Sequence, residues 1–298
     1  ALAWHFEQCG VPGKAYPYLV RAGRGLLQRS FAAEARDCFD RAVAMEPDAR
    51  EALTLDDADA LLAEVLLLRV EANEHLGIWT TVERDLLRVI GIARDLGDPR
   101  LESRAAAALG TRARRGDDLV SAERWHTDAL RLAEAAGDAA LKVMPLQGLG
   151  ASRWGQGDLE GARRWWTELL AVGDATGDDR SLGYGANGLG LLALCRGQAA
   201  EARRYFEQSA GVFEKLGLQS PLAMARVNLC EIHHLTGNLR RGLELAERTC
   251  AVARETNHPL GLARGRCYRA LLLVDLGRSV EALEESMAAV DLVRTLGD

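Results

Sequence analysis

Apolar positions recur along most of this chain at three- and four-residue steps. One stretch carries Leu189, Leu192, Ala193 and Cys195, and the next carries Ala202, Tyr205, Phe206, Ser209, Ala210 and Phe213. That spacing places the apolar residues on one face of a helix, not on alternate faces of a strand. It predicts a helix A over about 181–195 and a helix B over about 199–215. The punctuation between helices is regular. LGD at 96–98, AGD at 136–138, TGD at 176–178, LGL at 216–218, TNH at 256–258 and LGD at 296–298 share a central residue spaced by 40. Those centres are Gly97, Gly137, Gly177, Gly217, Asn257 and Gly297, and Gly and Asn are the residues that tolerate a left-handed helix C-cap. A second series, at Gly77, Asp117, Gly157, Gly197, Gly237 and Gly277, falls 20 residues earlier each time. Each 40-residue unit therefore holds two helices and two tight turns.

One such helix pair cannot bury its own apolar face, but stacked pairs can. Small residues recur where helices must approach: Gly110, Gly150, Gly190, Cys230 and Ala270 in helix A, and Ala122, Ala162, Ala202, Gly242 and Ala282 in helix B. The position four after the helix B series varies, as His126, Trp166, Phe206, Ala246 and Ser286. Units are expected at about 61–98, 99–138, 139–178, 179–218, 219–258 and 259–298, the first weakened by Arg69 and Val70 and the last by Arg269 and Ala270. Residues 1–60 are expected to form an irregular junction. There, 11–23 and 30–47 read as two B-type helices at half period, the first built on Ala15, Leu19 and Ala22 and the second ended by Pro47. A long acidic turn at 47–59 should follow, with Asp56, Asp57 and Asp59 capping the next helix. No spaced ligand pattern accompanies these aspartates, so calcium is not expected.

The run LGLLALCRGQAAEARRYFEQS at 189–209 carries the Leu-Gly, Gly, Ala and aromatic positions of a tetratricopeptide repeat, and the chain resembles that family with its unit stretched to 40 residues. The resemblance implies an all-α, right-handed superhelical solenoid. The whole chain also resembles the repeat region that follows the ATPase module in large bacterial signalling proteins, such as cyclase fusions, kinase fusions and LuxR-type regulators. WHFEQCGVPGKAYPYLVRAG at 4–23 looks like the segment leaving that module. The chain carries no Walker phosphate loop, no kinase motif set and no terminal recognition-helix domain. ATPase, cyclase or kinase activity of such a parent is expected outside residues 1–298. The absence of an opening Met fits a piece of a longer protein.

Composition adds exclusions. The net charge of -6 resides in residues 51–100, which hold 5 Arg and 11 Asp or Glu. No basic field is present to hold a phosphate backbone, so nucleic acid is not an expected partner. The longest apolar stretch, LLAEVLLLRV at 61–70, is interrupted by Glu64 and Arg69 and is too short to span a bilayer, and no signal-peptide pattern opens the chain. A cytoplasmic protein is expected. Cys9, Cys38, Cys195, Cys230, Cys250 and Cys267 form no CxxC pair and read as reduced thiols.

The chain carries few motifs of catalytic chemistry. Gly183, Gly185 and Gly188 spell G-x-G-x-x-G, but they sit inside a helix instead of opening one, so close packing is the better reading. The adjacent His233 and His234 point to different helix faces, and neither HExxH nor GxSxG occurs. His126 falls in a packing register and is expected to be a hydrogen-bonded interface histidine. No catalytic residue, metal or cofactor is expected.

In the family, helix A residues at fixed offsets line the concave face. That rule implies a groove bearing Arg104, Arg114, Gln147, Trp154, Tyr184, Asn187, Glu231, His234 and Arg264. The same offsets add Ala107, Thr111, Met144, Ala151, Leu191, Leu194, Met224, Val227, Cys267, Leu271 and Val274. Aromatics beside arginines suit peptide anchors and carboxylates, whereas Trp165 and Trp166 read as packing or outer-surface residues. The expected function is a non-catalytic scaffold binding a protein or peptide segment, or other domains of its own polypeptide. The alternatives are a small-ligand sensor arm and self-association through terminal faces.

Overall fold

A computed structural model describes residues 2–29, 31–50, 55–256 and 258–295, without the side chains of 55–57. Among the described residues every regular element is helical. The first five helices are α1 (Leu2–Gln8), α2 (Pro12–Leu27), α3 (Ala32–Arg50), α4 (Leu55–Leu76) and α5 (Val82–Leu96). Next come α6 (Pro99–Arg115), α7 (Leu119–Ala135), a 3-10 turn at Ala139–Lys142, α8 (Val143–Gly155) and α9 (Leu159–Thr176). The last six are α10 (Asp179–Cys195), α11 (Ala199–Lys215), α12 (Gln219–Leu235), α13 (Leu239–Glu255), α14 (Pro259–Asp275) and α15 (Ser279–Thr295). The chain divides into two compact units, Ala1–Leu109 and Gly110–Asp298.

The expected turns are built as local sterics demand. Gly97, Gly137, Gly177 and Gly217 hold φ between 63° and 71°, a region that costs a side-chain-bearing residue about 1–2 kcal/mol. Asn257 and Gly297, assigned the same role, lie outside the described residues. In the second series Asp117 occupies the left-handed position at φ 61°. An Asp follows several of these turns and caps the next helix. Asp118 accepts from the Ser121 amide at 3.0 Å, Asp158 from Gly161 at 2.8 Å and Asp178 from Ser181 at 2.9 Å. Consecutive helices in the second unit therefore reverse direction within two or three residues.

Its core follows a rule that explains the varying helix B position. The large residue of one B helix is clamped between two A helices. Trp166 is buried so closely against α8 and α10 that a Cβ on Gly150 would stand 2.3 Å from its ring, and one on Gly188 2.1 Å. His126 is held the same way between Gly110 (2.7 Å) and Gly148 (2.2 Å), and Phe206 rests on Gly190 (2.6 Å). Where the A-helix residue grows to Cys230, the B-helix residue shrinks to Ala246, and Tyr268 and Leu272 complete that layer. Volume is conserved across the contact while identities vary, as close packing requires. The glycines of LGYGANGLGLL are thus explained by contact, with Phe213, Leu170, Trp166 and Phe206 against Gly183, Gly185, Gly188 and Gly190.

The A helices α8, α10, α12 and α14 also touch one another in succession, whereas no comparable contact joins successive B helices among the described residues. Within this unit the A helices form the tighter, inner layer. At its end, α15 leaves Val280, Leu283, Met287 and Val290 exposed on one face.

The first unit corrects the reading of the N-terminal segment. Helices α2 and α3 form a helix pair with the same clamp: a Cβ on Gly23 would stand 2.5 Å from the Phe39 ring, 16 residues on. The segment 11–23 is therefore an A-type helix, and Ala22 is exposed while Tyr16, Leu19, Val20 and Gly23 are buried. Pro47 does not end α3, which runs on to Arg50. The supposed acidic turn is largely helical, because α4 starts at Leu55; the Asp56 and Asp57 side chains lie outside the described residues, and Asp59 pairs with Arg50. Arg69, which breaks the Leu-Gly register, makes two hydrogen bonds of 2.8 Å to buried Asp85 and one of 3.0 Å to Asp40. That paired charge joins α3, α4 and α5. No helix among the described residues is long and apolar enough to cross a membrane.

The clamp makes a paired prediction. Gly188→Ala should cost about 1–3 kcal/mol, because Trp166 has no room to yield. Gly211→Ala, in α11 with nothing within 4 Å of the added Cβ, should gain about 0.5–1 kcal/mol. Urea midpoints of both variants check this, and a Gly188→Ala protein as stable as Gly211→Ala would rule the clamp out.

Candidate functional site

The inner layer of the second unit encloses a groove of about 930 Å³. Successive A helices each contribute a strip to it. The last turn of α6 gives Thr111, Arg114 and Arg115, and α8 gives Met144, Gln147, Ala151 and Trp154. Helix α10 supplies Tyr184, Asn187, Leu191 and Leu194; α12 supplies Met224, Asn228 and Glu231; and α14 supplies Leu260 and Arg264. These strips arise because each A helix packs one face against its B partner and its neighbours, leaving the opposite face open. The floor reaches down to the buried Trp166 and Phe213 rings, so Trp166 both packs and lines the groove. Trp165 is partly buried against the Leu146, Leu149 and Leu169 cluster.

Seven of the nine expected groove residues meet here: Arg114, Gln147, Trp154, Tyr184, Asn187, Glu231 and Arg264. Two do not. Arg104 is an exposed residue of the first unit, and His234 is drawn aside by a 2.7 Å contact to Asp275. Among the secondary positions, Val227 is buried in packing, while Leu271 and Val274 are exposed outside the groove lining. The sequence reading missed Asn228, one residue past the expected position, and Arg115.

The polar groups of the floor are specific. Asn228 Nδ2 donates to Asn187 Oδ1 at 3.1 Å, linking two A helices. This bond leaves the Asn187 amide with a donor and the Asn228 amide with an acceptor. Tyr184 stacks edge-on against Phe213 with ring centres 4.9 Å apart. Glu231 accepts from the Tyr268 hydroxyl at 3.1 Å, and burial together with that carboxylate pushes the phenol well above its ordinary range. Arg114 and Arg264 carry the reverse pressure: burial first, and neighbouring arginines second, lower the affinity of each for its proton.

His126 is fully buried beneath this end of the groove, and neither ring nitrogen has a hydrogen-bond partner among the described residues. The expected hydrogen-bonded histidine is thus corrected: the imidazole serves as an aromatic filler, in the register held by Trp166 and Phe206. Burial, and then the charge of Arg114, push its pKa down to about 3. Among the described residues no group of His, Cys, Asp and Glu is placed to hold a metal. Cys38, Cys230 and Cys250 are buried, and burial pushes the Cys230 thiol up to about 12.

No family model matches the chain, and no curated protein sequence does. Solved structures match its fold. The Rap conjugation gene regulator of plasmid pLS20, in complex with the Phr peptide, aligns with a TM-score of 0.75 at 14% identity, over 97% of this chain and 77% of that one. A Rap protein complexed with Competence and Sporulation Factor aligns at 0.71 and 13% identity, over 96% and 76%. A signal transduction ATPase with numerous domains and a tetratricopeptide repeat sensor, from Pyrococcus horikoshii, aligns at 0.61 and 15% identity. That alignment covers 92% of this chain and 41% of the other. The fold, all-α among the described residues, is thus a solenoid of tetratricopeptide-like helical repeats.

The buried imidazole makes acid sensitivity predictable. An unfolded histidine titrates near 6.5, so between that value and about 3 the unfolded chain binds one more proton than the folded one. His126 therefore leaves stability intact above pH ~6.5 and removes up to about 1.4 kcal/mol per pH unit as pH falls below it. His126→Phe, the residue used at the same register in α11, should flatten the slope between pH 7 and 5. Urea midpoints across that range check it, and parallel slopes for the two proteins would refute the assignment.

Proposed function

We propose that the chain is a non-catalytic binding module whose second-unit groove takes a peptide or an extended protein segment. The observation that carries this reading is the Asn187–Asn228 amide pair on the floor of a groove of about 930 Å³, flanked by Trp154 and Tyr184. A side-chain amide offers one donor and one acceptor side, which matches the N–H and C=O of an extended backbone. Trp154, 40% exposed, supplies a rigid apolar wall of the kind that anchors a side chain at low entropic cost. The two Rap structures of similar fold were solved with a Phr peptide and with Competence and Sporulation Factor, which supports a bound regulator here. We further read the chain as a regulatory arm of a larger signalling protein, whose own domains are a second source of the bound segment.

The groove's volume also lies within the range of small-molecule pockets, and this favours an inducer-sensing arm as the second reading. Selection of short random peptides on the purified chain separates the two. Enriched peptides should bind the wild type and lose at least about tenfold in affinity on W154A/N187A. Equal binding by both proteins would refute the groove assignment. Failure to enrich any peptide, together with a thermal shift from a small-molecule panel, would favour the sensor.

A further inference from the structure

Most deeply placed arginines of this protein have carboxylate partners. Arg69 is paired with Asp85 and Asp40, Arg226 with Glu214, and Arg269 with Glu285 and Glu247. Arg112, Arg114 and Arg264 break that pattern, and of these Arg114 and Arg264 line the groove. Neither of the two has a carboxylate partner among the described residues. Among the described residues, Arg114 Nε is buried with no hydrogen-bond partner, and Arg264 reaches only the Met224 sulfur, at 3.8 Å. Arg115, at the end of α6, lines the groove beside them and is exposed. The three come from α6 and α14, which the stacking of this unit brings to one cavity.

A favourable interaction with the helix C-terminus accounts for arginines in the last turn of α6. It does not account for Arg264, which lies in the first half of α14. The carboxylates of the same groove are Asp117, at the exposed turn after α6, and Glu231, which already holds the Tyr268 hydroxyl. Burial bears on both Arg114 and Arg264, as does the charge of Arg115, and Arg264 also feels Arg114. A guanidinium does not shed its proton at neutral pH, and its planar fork of donors matches an oxyanion. An arriving anion would satisfy these groups.

We propose that Arg114 and Arg264, with Arg115 at the rim, form an anion subsite, and that in a peptide ligand this subsite takes a carboxylate. The carboxylate half of the proposal rests on the peptide reading above, while the anion half rests on the arginines alone. The floor amides would hold the backbone and the arginines would set the end of the register, giving the groove a direction.

The test uses the full chain, R114Q/R264Q and R264K. The probes are peptide pools free of Asp and Glu, made with either a free C-terminal carboxylate or a C-terminal amide, and inorganic phosphate at millimolar concentration. Wild type should prefer the carboxylate pool by about tenfold or more. R114Q/R264Q should bind both pools alike, and R264K should retain part of the preference. Without ligand, R114Q/R264Q should melt at or above the wild-type temperature, because it loses two uncompensated charges. A lower melting temperature would mark the arginines as structural and overturn the proposal. An equal preference in wild type and R114Q/R264Q would also overturn it, leaving the peptide groove standing. If no peptide binds but phosphate raises the melting temperature of wild type and not of R114Q/R264Q, the anion subsite stands and the peptide reading falls. Silence from both peptide and phosphate overturns the subsite.

Discussion

The rest of the second unit depends on the clamp that two glycine-bearing A helices place on one large helix B side chain. Trp166 between Gly150 and Gly188 is the fullest case. A glycine in a helix interior forfeits up to about 1 kcal/mol of propensity, so four of them within α10 need a compensating gain. The gain is backbone approach. Without a Cβ, successive A helices close onto the ring between them and bury it wholly. The inner layer then packs more tightly than the outer, and the unit must open a groove on the A side. Replacing ring and glycine by Ala246 and Cys230 keeps the volume but passes the filling to Tyr268 and Leu272.

That division of labour separates stability from binding. Residues that meet a B helix are fixed by volume. Those on the opposite face of the same A helix carry little packing duty and are free to hold amides, aromatics and charge. Asn187 shows the geometry, lying one residue before the clamping Gly188 and pointing its amide to Asn228. A groove built from such strips can change its chemistry without disturbing the core.

What the sequence revealed follows the range of the interaction. The turn glycines were legible because a left-handed backbone is a local demand, and α10 and α11 start within two residues of their expected positions and end on them. Seven groove residues were legible because the repeat fixes which helical face points inward. The end of α3 was misplaced because Pro47 looks like a breaker, yet it is accommodated inside the helix. The Gly23–Phe39 clamp of the N-terminal pair has the same 16-residue separation as Gly190–Phe206 and was visible in principle. The meeting of Arg114 with Arg264 was not, since it depends on curvature accumulated over several stacked pairs. His126 was misjudged for a related reason: its register was clear, but with glycines on both sides neither ring nitrogen meets a partner among the described residues.

His126 and Arg114 also connect the core to the groove. The imidazole lies under the arginine end of the groove, and the arginine's charge is the second cause of its depressed pKa. A cation left without a counter-ion thus weighs on a core residue as well as on its own solvation. An anion seated against Arg114 would relieve both, and by linkage would ease protonation of the imidazole while the imidazolium favoured the anion. If the subsite proposed above were filled, its occupancy and the core's acid stability would be coupled. Such a coupling would run through a single ring, which Gly110 and Gly148 hold beside Arg114.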